Sequence, residues 1–163
     1  MIILGIDPGT TAIGYAIIKS EGLSQKLLSA DLLSIRSPAL EDRLHDTHHE
    51  INRLIMQWKP EAMAIEKVFF AKNTKTALQV SEARGAILLT TFLAGLKVFE
   101  YTPLEVKKMV TGDGRADKMQ IKKMLQFILP ETISIRARDD VFDAIAIALA
   151  CISNEKFHLK RPI

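Results

Sequence analysis

Unbroken apolar runs alternate with stretches of helical period along this chain. The run from Ile2 to Ile6 is apolar throughout, the pattern of a strand buried on both faces. It ends at Asp7, passes through Pro8-Gly9, and a second β-branched run follows to Ile18; two antiparallel strands joined by a turn are predicted. Residues 25–35 are mainly apolar with polar breaks and predict a third strand that finishes a meander. A helix is predicted from Ser37-Pro38, because Leu40, Leu44, Ile51, Leu54, Ile55 and Trp58 recur at helical spacing until Pro60 closes it. Ala62–Glu66 reads as a fourth strand. The helix predicted over 76–94 is apolar beyond one stripe, so one side can pack on the sheet and leave the other for a partner subunit. Gly95 ends it as a cap, and Lys97–Tyr101 reads as a fifth strand. Thr102-Pro103 begins a helix through Met109. After a polar loop over 111–117, Asp117 caps a helix over 118–129, which Pro130 stops. The last helix carries the run from Arg138 to Ala150.

The acids break this pattern in an informative way. Asp7 and Glu66 each end an apolar strand at its carboxyl end, and in open α/β sheets sites form outside the carboxyl ends of strands. Asp7 could simply cap the turn through backbone N–H groups, and Glu66 could be an exposed strand end. Two acids delivered to one edge repel each other unless they share a cation, and an unpaired buried charge is costly. Asp140 and Asp143 stand i,i+3 on one helix face, with Asp143 inside an otherwise apolar helix. Either Asp139 or Asp140 could serve as an N-terminal cap stabilised by the helix dipole; Asp143 lies too deep for that. Metal coordination is the expectation. Asp139 is i,i+4 to Asp143, so spacing leaves open which of the doublet takes part.

Charge and composition narrow the partners. With 163 residues, 48% hydrophobic and 25% charged, the chain fits one soluble domain with a full core. No apolar run suits a bilayer span, and no basic leader marks a signal peptide, so a cytoplasmic protein is expected. Cys151 is the only cysteine, which suits a reducing compartment and a plain core position. The net charge is only +3, but Lys107, Lys108, Arg115, Lys118, Lys122 and Lys123 crowd one stretch away from the acids. Singly such a cluster is a solvated helix face; beside a set of acids it suits a polyanion handled with metal ions. Residues 67–76 mix Phe69 and Phe70 with Lys67, Lys72 and Lys75. Stacking plus backbone charge is how distorted nucleic acid is held, and two successive rings cannot both face inward in a regular strand. His45 and His49 have zinc-compatible i,i+4 spacing but no third ligand nearby, so an exposed polar face is expected. The 111–117 loop lacks the Walker spacing.

Taken in order, Leu4-Gly5-Ile6-Asp7-Pro8-Gly9, Ile65-Glu66 with Val68-Phe69-Phe70-Ala71-Lys72-Asn73, Ala83-Arg84-Gly85, Gly112-Asp113-Gly114-Arg115-Ala116-Asp117-Lys118 and Asp140-x-x-Asp143-Ala144-Ile145-Ala146 resemble the RuvC family of Holliday-junction resolvases over nearly the whole chain. The resemblance implies an RNase H-like α/β fold, a five-stranded mixed sheet with helices on both faces. It implies a Mg²⁺-dependent endonuclease working as a homodimer on four-way junction DNA in recombination and repair, with two ions per site and Mn²⁺ as a substitute. The family's catalytic and metal-holding acids fall on Asp7, Glu66, Asp140 and Asp143. Its junction-contacting ring falls on Phe69 and its basic DNA contacts on Lys107 and Lys118, to which the basic stretch adds Arg115. A branch-migration complex of RuvA and RuvB type is the implied partner. Ser81 stands where the family often has Gly, and Asp113 where Asn is frequent. The rival readings are an actin-like ATPase half, which shares a loop like Gly5 to Thr11 but needs two domains, an RNA-processing nuclease of the same fold, and a junction-binding module without catalysis.

Overall fold

The computed structural model describes residues 1–67 and 74–159. Its core is one mixed sheet of β1 (Ile2–Asp7), β2 (Ala12–Glu21), β3 (Ser24–Ser34), β4 (Ala62–Glu66) and β5 (Lys97–Tyr101), in the order β3-β2-β1-β4-β5. The meander β1-β2-β3 is antiparallel, and β4 and β5 add in parallel on the far side of β1. This is the five-stranded mixed sheet expected from the sequence. Helices α1 (Leu40–Trp58) and α2 (Thr74–Leu93) lie on one face. Helices α3 (Pro103–Thr111), α4 (Lys118–Ile128) and α5 (Asp139–Leu159) lie on the other.

Strand alternation explains why β1 reads as apolar throughout. Successive side chains point to opposite faces. Leu4 and Ile6 enter the core under α1 and α2, together with Ile13, Ile17, Met63, Ile65, Ile51, Leu54 and Ile87. Ile3 enters the core under α5, with Ala16, Ile18, Ala62 and Ala64. The same period carries Gly5 and Asp7 to the α5 face, and on β4 it carries Glu66 there after Ala62 and Ala64. Two acids and a helix N-terminus therefore meet on one side of the sheet.

The α5 face is lined by small residues, and this sets how near α5 can lie. A Cβ on Gly5 would stand 2.7 Å from the Ala148 Cβ and closer still to the Ala144 carbonyl oxygen. One on Gly14 would stand 2.6 Å from the Asp140 carbonyl carbon, within its oxygen. The helix backbone rests on the strands at these two points, an approach only glycine permits.

Several boundaries differ from the sequence expectation for local reasons. Helix α1 starts at Leu40 after the extended Ala39, because the Ser37 hydroxyl donates to Asp46 and the Arg43 guanidinium donates to the Pro38 carbonyl at 2.6 Å. It ends at Lys59, in the left-handed region at φ 47, whose N–H reaches the Ile55 carbonyl before Pro60 intervenes. Helix α2 begins at Thr74, and Gly95 ends it as expected: Gly95 N–H donates to Phe92 and Leu96 N–H to Thr91, a Schellman closure around φ 74. Capping boxes Thr102/Glu105 and Asp117/Gln120 open α3 and α4. Helix α3 runs on past Met109 to Thr111, and Pro130 starts a 3-10 turn, Pro130–Ser134, which apolar periodicity does not reveal. Cys151 is buried in the core as expected.

Candidate active site

Asp7 ends β1 opposite Gly14 on β2, and Glu66 follows Ile65, which pairs with Ile6. Helix α5 brings its first turn over this corner, with the Asp140 backbone against Gly14. Burial pushes the Asp7 carboxyl up from 3.8 to about 8, and repulsion from Glu66, Asp143 and Asp140 adds to it; Lys118 offsets part. Glu66 rises to about 7, first through burial and then through Asp143. Asp143 is also raised, through burial and the neighbouring Asp139 and Asp140, against the opposing charges of Lys118 and Lys107. The acids from three separate stretches of sequence thus form one electrostatic unit.

The doublet at the start of α5 divides. Asp139 is 70% exposed and accepts from Lys118 Nζ at 2.8 Å, which holds its carboxyl below the usual range. Asp140 is 33% exposed, faces Arg138 Nη2 at 3.2 Å and acts on Asp7, whereas Asp139 is not among the groups that raise Asp7. Geometry associates Asp140 with the Asp7 corner and Asp139 with the basic rim.

Lys107 on α3 and Lys118 on α4 both lower Asp143, so their charges reach the acids. Lys122 sits with its Nζ 4.4 Å from the centre of the Phe142 ring. Arg115 is exposed in the loop before α4, where its N–H donates to Asp113 Oδ1 at 2.8 Å. Asp113 therefore shapes the turn that presents Arg115. The Ser81 hydroxyl donates to the Ala77 carbonyl at 2.8 Å, a bond within its own helix. His45 and His49 are exposed beside Asp46 and Glu50. Phe69 lies outside the described residues.

Arg84 is the residue that sequence reasoning left without a role. Its Nη2 meets Glu100 Oε2 at 2.8 Å and its Nε approaches the Glu66 carbonyl at 3.4 Å. It ties α2 to the carboxyl ends of β4 and β5, where Glu66 emerges. The signal was present: a cation set between Ala83 and Gly85 inside an apolar helix is an expensive choice unless it is paired.

Among the described residues no group of three or more acidic, His or Cys side chains is gathered closely enough to hold one ion. The donor chemistry nevertheless suits a hard divalent cation, since the raised acids offer oxygen ligands whose mutual repulsion a cation would relieve.

The raised acids have a consequence for stability. Unfolded, these groups ionise near their ordinary values of 3.8 and 4.5; folded, Asp7 and Glu66 hold protons to about 8 and about 7. The folded state therefore binds more protons across that window, and stability falls as pH rises through it. Without divalent ions, the melting temperature at pH 8 should lie below that at pH 5 by roughly 5 °C or more. Asp7→Asn should flatten the slope. Scanning calorimetry across the range checks both.

A family model described as crossover junction endodeoxyribonuclease RuvC matches residues 3–151. The crossover junction endodeoxyribonuclease RuvC of Moorella thermoacetica is 48% identical over 152 residues, covering 91% of this chain and 89% of the relative. The structure of Thermus thermophilus RuvC superposes with a TM-score of 0.88 at 30% identity, over the whole of both chains. The same protein in complex with a Holliday junction substrate matches equally well, over 100% of this chain and 99% of that one. The chain belongs to the RuvC family of crossover junction endodeoxyribonucleases.

Proposed function

We propose that this protein resolves four-way DNA junctions by paired, symmetric nicks, with Asp7, Glu66, Asp140 and Asp143 as the acids that hold its catalytic metal. The observation that carries the reading is Asp7: a carboxyl held protonated to about 8 by burial and by three other acids. Such a corner is poorly matched to its own charge and well matched to a divalent cation. Two Mg²⁺ ions per site, replaceable by Mn²⁺, would supply an activated water and charge stabilisation at the departing 3′ oxygen, leaving a 5′-phosphate and a 3′-hydroxyl.

The chain's own groups have distinct tasks in this reading. Asp7 and Glu66, fixed at strand ends, form the rigid half of the donor set. Asp140 and Asp143, one helical turn apart on α5, close over it by rotating their side chains. Asp140 would have to leave Arg138 to do so. Lys107 and Lys118 draw the scissile phosphate toward the acids, and Asp139 keeps Lys118 poised at the rim. Arg115 and Phe69 extend the contact along the DNA.

Two identical nicks call for two identical sites, and a symmetric dimer supplies them. The outer side of α2 supports this. Leu78, Leu89, Phe92 and Leu93 are exposed along one stripe, Phe92 by 75%, with Gly85 open in its middle. An apolar stripe of this length on a free helix face is the signature of a surface that is covered. A branch-migration complex of RuvA and RuvB type would deliver the junction. Work on DNA in the cytoplasm agrees with the composition, and among the described residues no helix is long and apolar enough to cross a membrane.

The test is a synthetic mobile four-way junction incubated with the protein and Mg²⁺, with cut positions mapped on every strand. Matched cuts on opposing strands, symmetric about the crossover and sealable by ligase, are expected, with linear duplex of the same sequence left whole. A junction left uncut with both Mg²⁺ and Mn²⁺, or structured RNA cut in its place, would refute the reading.

A further inference from the structure

Beyond the Lys107 and Lys118 rim there is a second cationic surface, lined by neither of these lysines and joined to the acid corner through Arg138. A cleft of about 550 Å³ opens beside the turn that follows Asp7, with Thr10 and Thr11 on one wall and Arg36, Arg43 and Arg138 around it. No lining residue is acidic. We propose that this cleft binds the phosphodiester backbone of the DNA strand as it leaves the acid corner, so that the cut strand is gripped on both sides of the scissile bond. The proposal rests on the junction-cleaving reading above and adds a binding site to it.

The wall is built rather than incidental. The Thr11 carbonyl accepts from Ile35 N–H at 2.9 Å, which fixes the turn after Asp7 to the end of β3 and so to Arg36. Arg43 is half-buried and anchored by its bond to the Pro38 carbonyl at 2.6 Å. One guanidinium N–H is used there, and the rest of the planar fork remains to donate. Arg138 pairs at 3.2 Å with Asp140, which makes the cleft and the acid corner share a side chain. Arg36 is exposed, and among the described residues its side chain has no hydrogen bond or ion pair. Arg138 is met by Asp140 at the edge of the cleft, whereas Arg36 and Arg43 have no facing carboxylate there, and phosphate is the group their fork geometry matches. The two Thr hydroxyls add neutral donors of the kind that position a backbone without reading sequence. Because such contacts ignore the bases, the cleft would serve any junction sequence equally.

The experiment reads binding, not cutting. A fluorescent four-way junction is titrated with wild type, Arg36→Ala, Arg36→Ala/Arg43→Ala, Arg36→Lys/Arg43→Lys and Lys118→Ala, without divalent ions and at a series of salt concentrations. Each lost phosphate contact should reduce the slope of log affinity against log salt by about one, so the double Ala variant should lose roughly two and bind about 10-fold more weakly at moderate salt. The double Lys variant should recover most of the slope. Arg43 also supports the entry to α1, so Arg36→Ala carries the test independently: it is exposed and should melt as wild type does while losing about one unit of slope. An Arg36→Ala protein with unchanged affinity and slope, alongside a weakened Lys118→Ala, overturns the cleft and leaves the junction reading intact. A wild-type protein that neither binds nor cuts the junction overturns the junction reading, and the cleft with it.

Discussion

Asp7→Asn should reduce cleavage of a four-way junction by on the order of 10³-fold or more while leaving junction binding at wild-type strength or slightly above it. The substitution keeps the shape of the side chain and removes its charge. Asp7 sits at the centre of the acid corner: three other acids act on it, and it is the most strongly raised of the group. An amide there offers one weak oxygen in place of a carboxylate, so the divalent ion proposed for this corner would lose its most central ligand. Binding is a separate matter. On the proposed reading it depends on cations outside the corner, Lys107 and Lys118 among them, and an amide cannot ionise, so it adds no repulsion next to the phosphate path even above the point where Asp7 would lose its proton. The folded protein should also gain stability at pH 8, because Asp7 no longer resists ionisation there. Single-turnover cleavage with Mg²⁺, junction affinity and a melting curve at pH 8 measure the three effects on one sample. Loss of cleavage together with loss of binding would point to a folding defect, which the melt would reveal. Wild-type cleavage by the variant would remove Asp7 from the chemistry altogether.

Much of this arrangement was legible before any coordinates, and the reason is periodicity. A strand that buries both faces cannot end in a carboxylate without exposing it to whatever lies beyond the sheet edge, so Asp7 and Glu66 stood out at once. Alternation then dictates that both point to the face where Ile3, Ala62 and Ala64 pack, which is the α5 face. Spacing along α5 could not separate Asp139 from Asp140, since positions i+3 and i+4 share a helix face. What separates them is contact between elements far apart in the chain. Gly14 receives the Asp140 backbone, while Lys118 from α4 takes Asp139. Arg84 was hidden for the same reason. Its partners, Glu100 and the Glu66 carbonyl, belong to strands that become neighbours only through the parallel pairing of β4 and β5. The late start of α1 and the 3-10 turn after Pro130 were lost to side-chain and turn bonds that leave no periodic mark.

Gly14→Ala tests the packing on which the acid corner depends, and its effect should be large for one methyl group. The new Cβ would stand 2.6 Å from the Asp140 carbonyl carbon, nearer to its oxygen and 3.3 Å from the Asp140 Cβ. Backbone cannot swing aside as a flexible side chain does, so either β2 bends or the first turn of α5 lifts. Bending β2 is resisted by its pairing with both β1 and β3 around Gly14, opposite Asp7 and Leu32. The helix turn is the softer element, and lifting it moves Asp140 directly and Asp143 with it. Overpacking of this kind costs about 1–3 kcal/mol, which for a chain of this size is a fall in melting temperature of roughly 3–10 °C. Activity should suffer more than stability does. A displacement near 1 Å at a reacting centre can cost on the order of 10²-fold in rate. The outcome expected well below the melting temperature is therefore a folded protein that still binds the junction and cuts it about a hundredfold more slowly. Gly5→Ala, which meets the same helix one turn further on at Ala144 and Ala148, should destabilise in the same direction. If Gly14→Ala melted and cut as wild type does, α5 could not rest on β2 at this point, and the placement of Asp140 beside Asp7 would have to be abandoned.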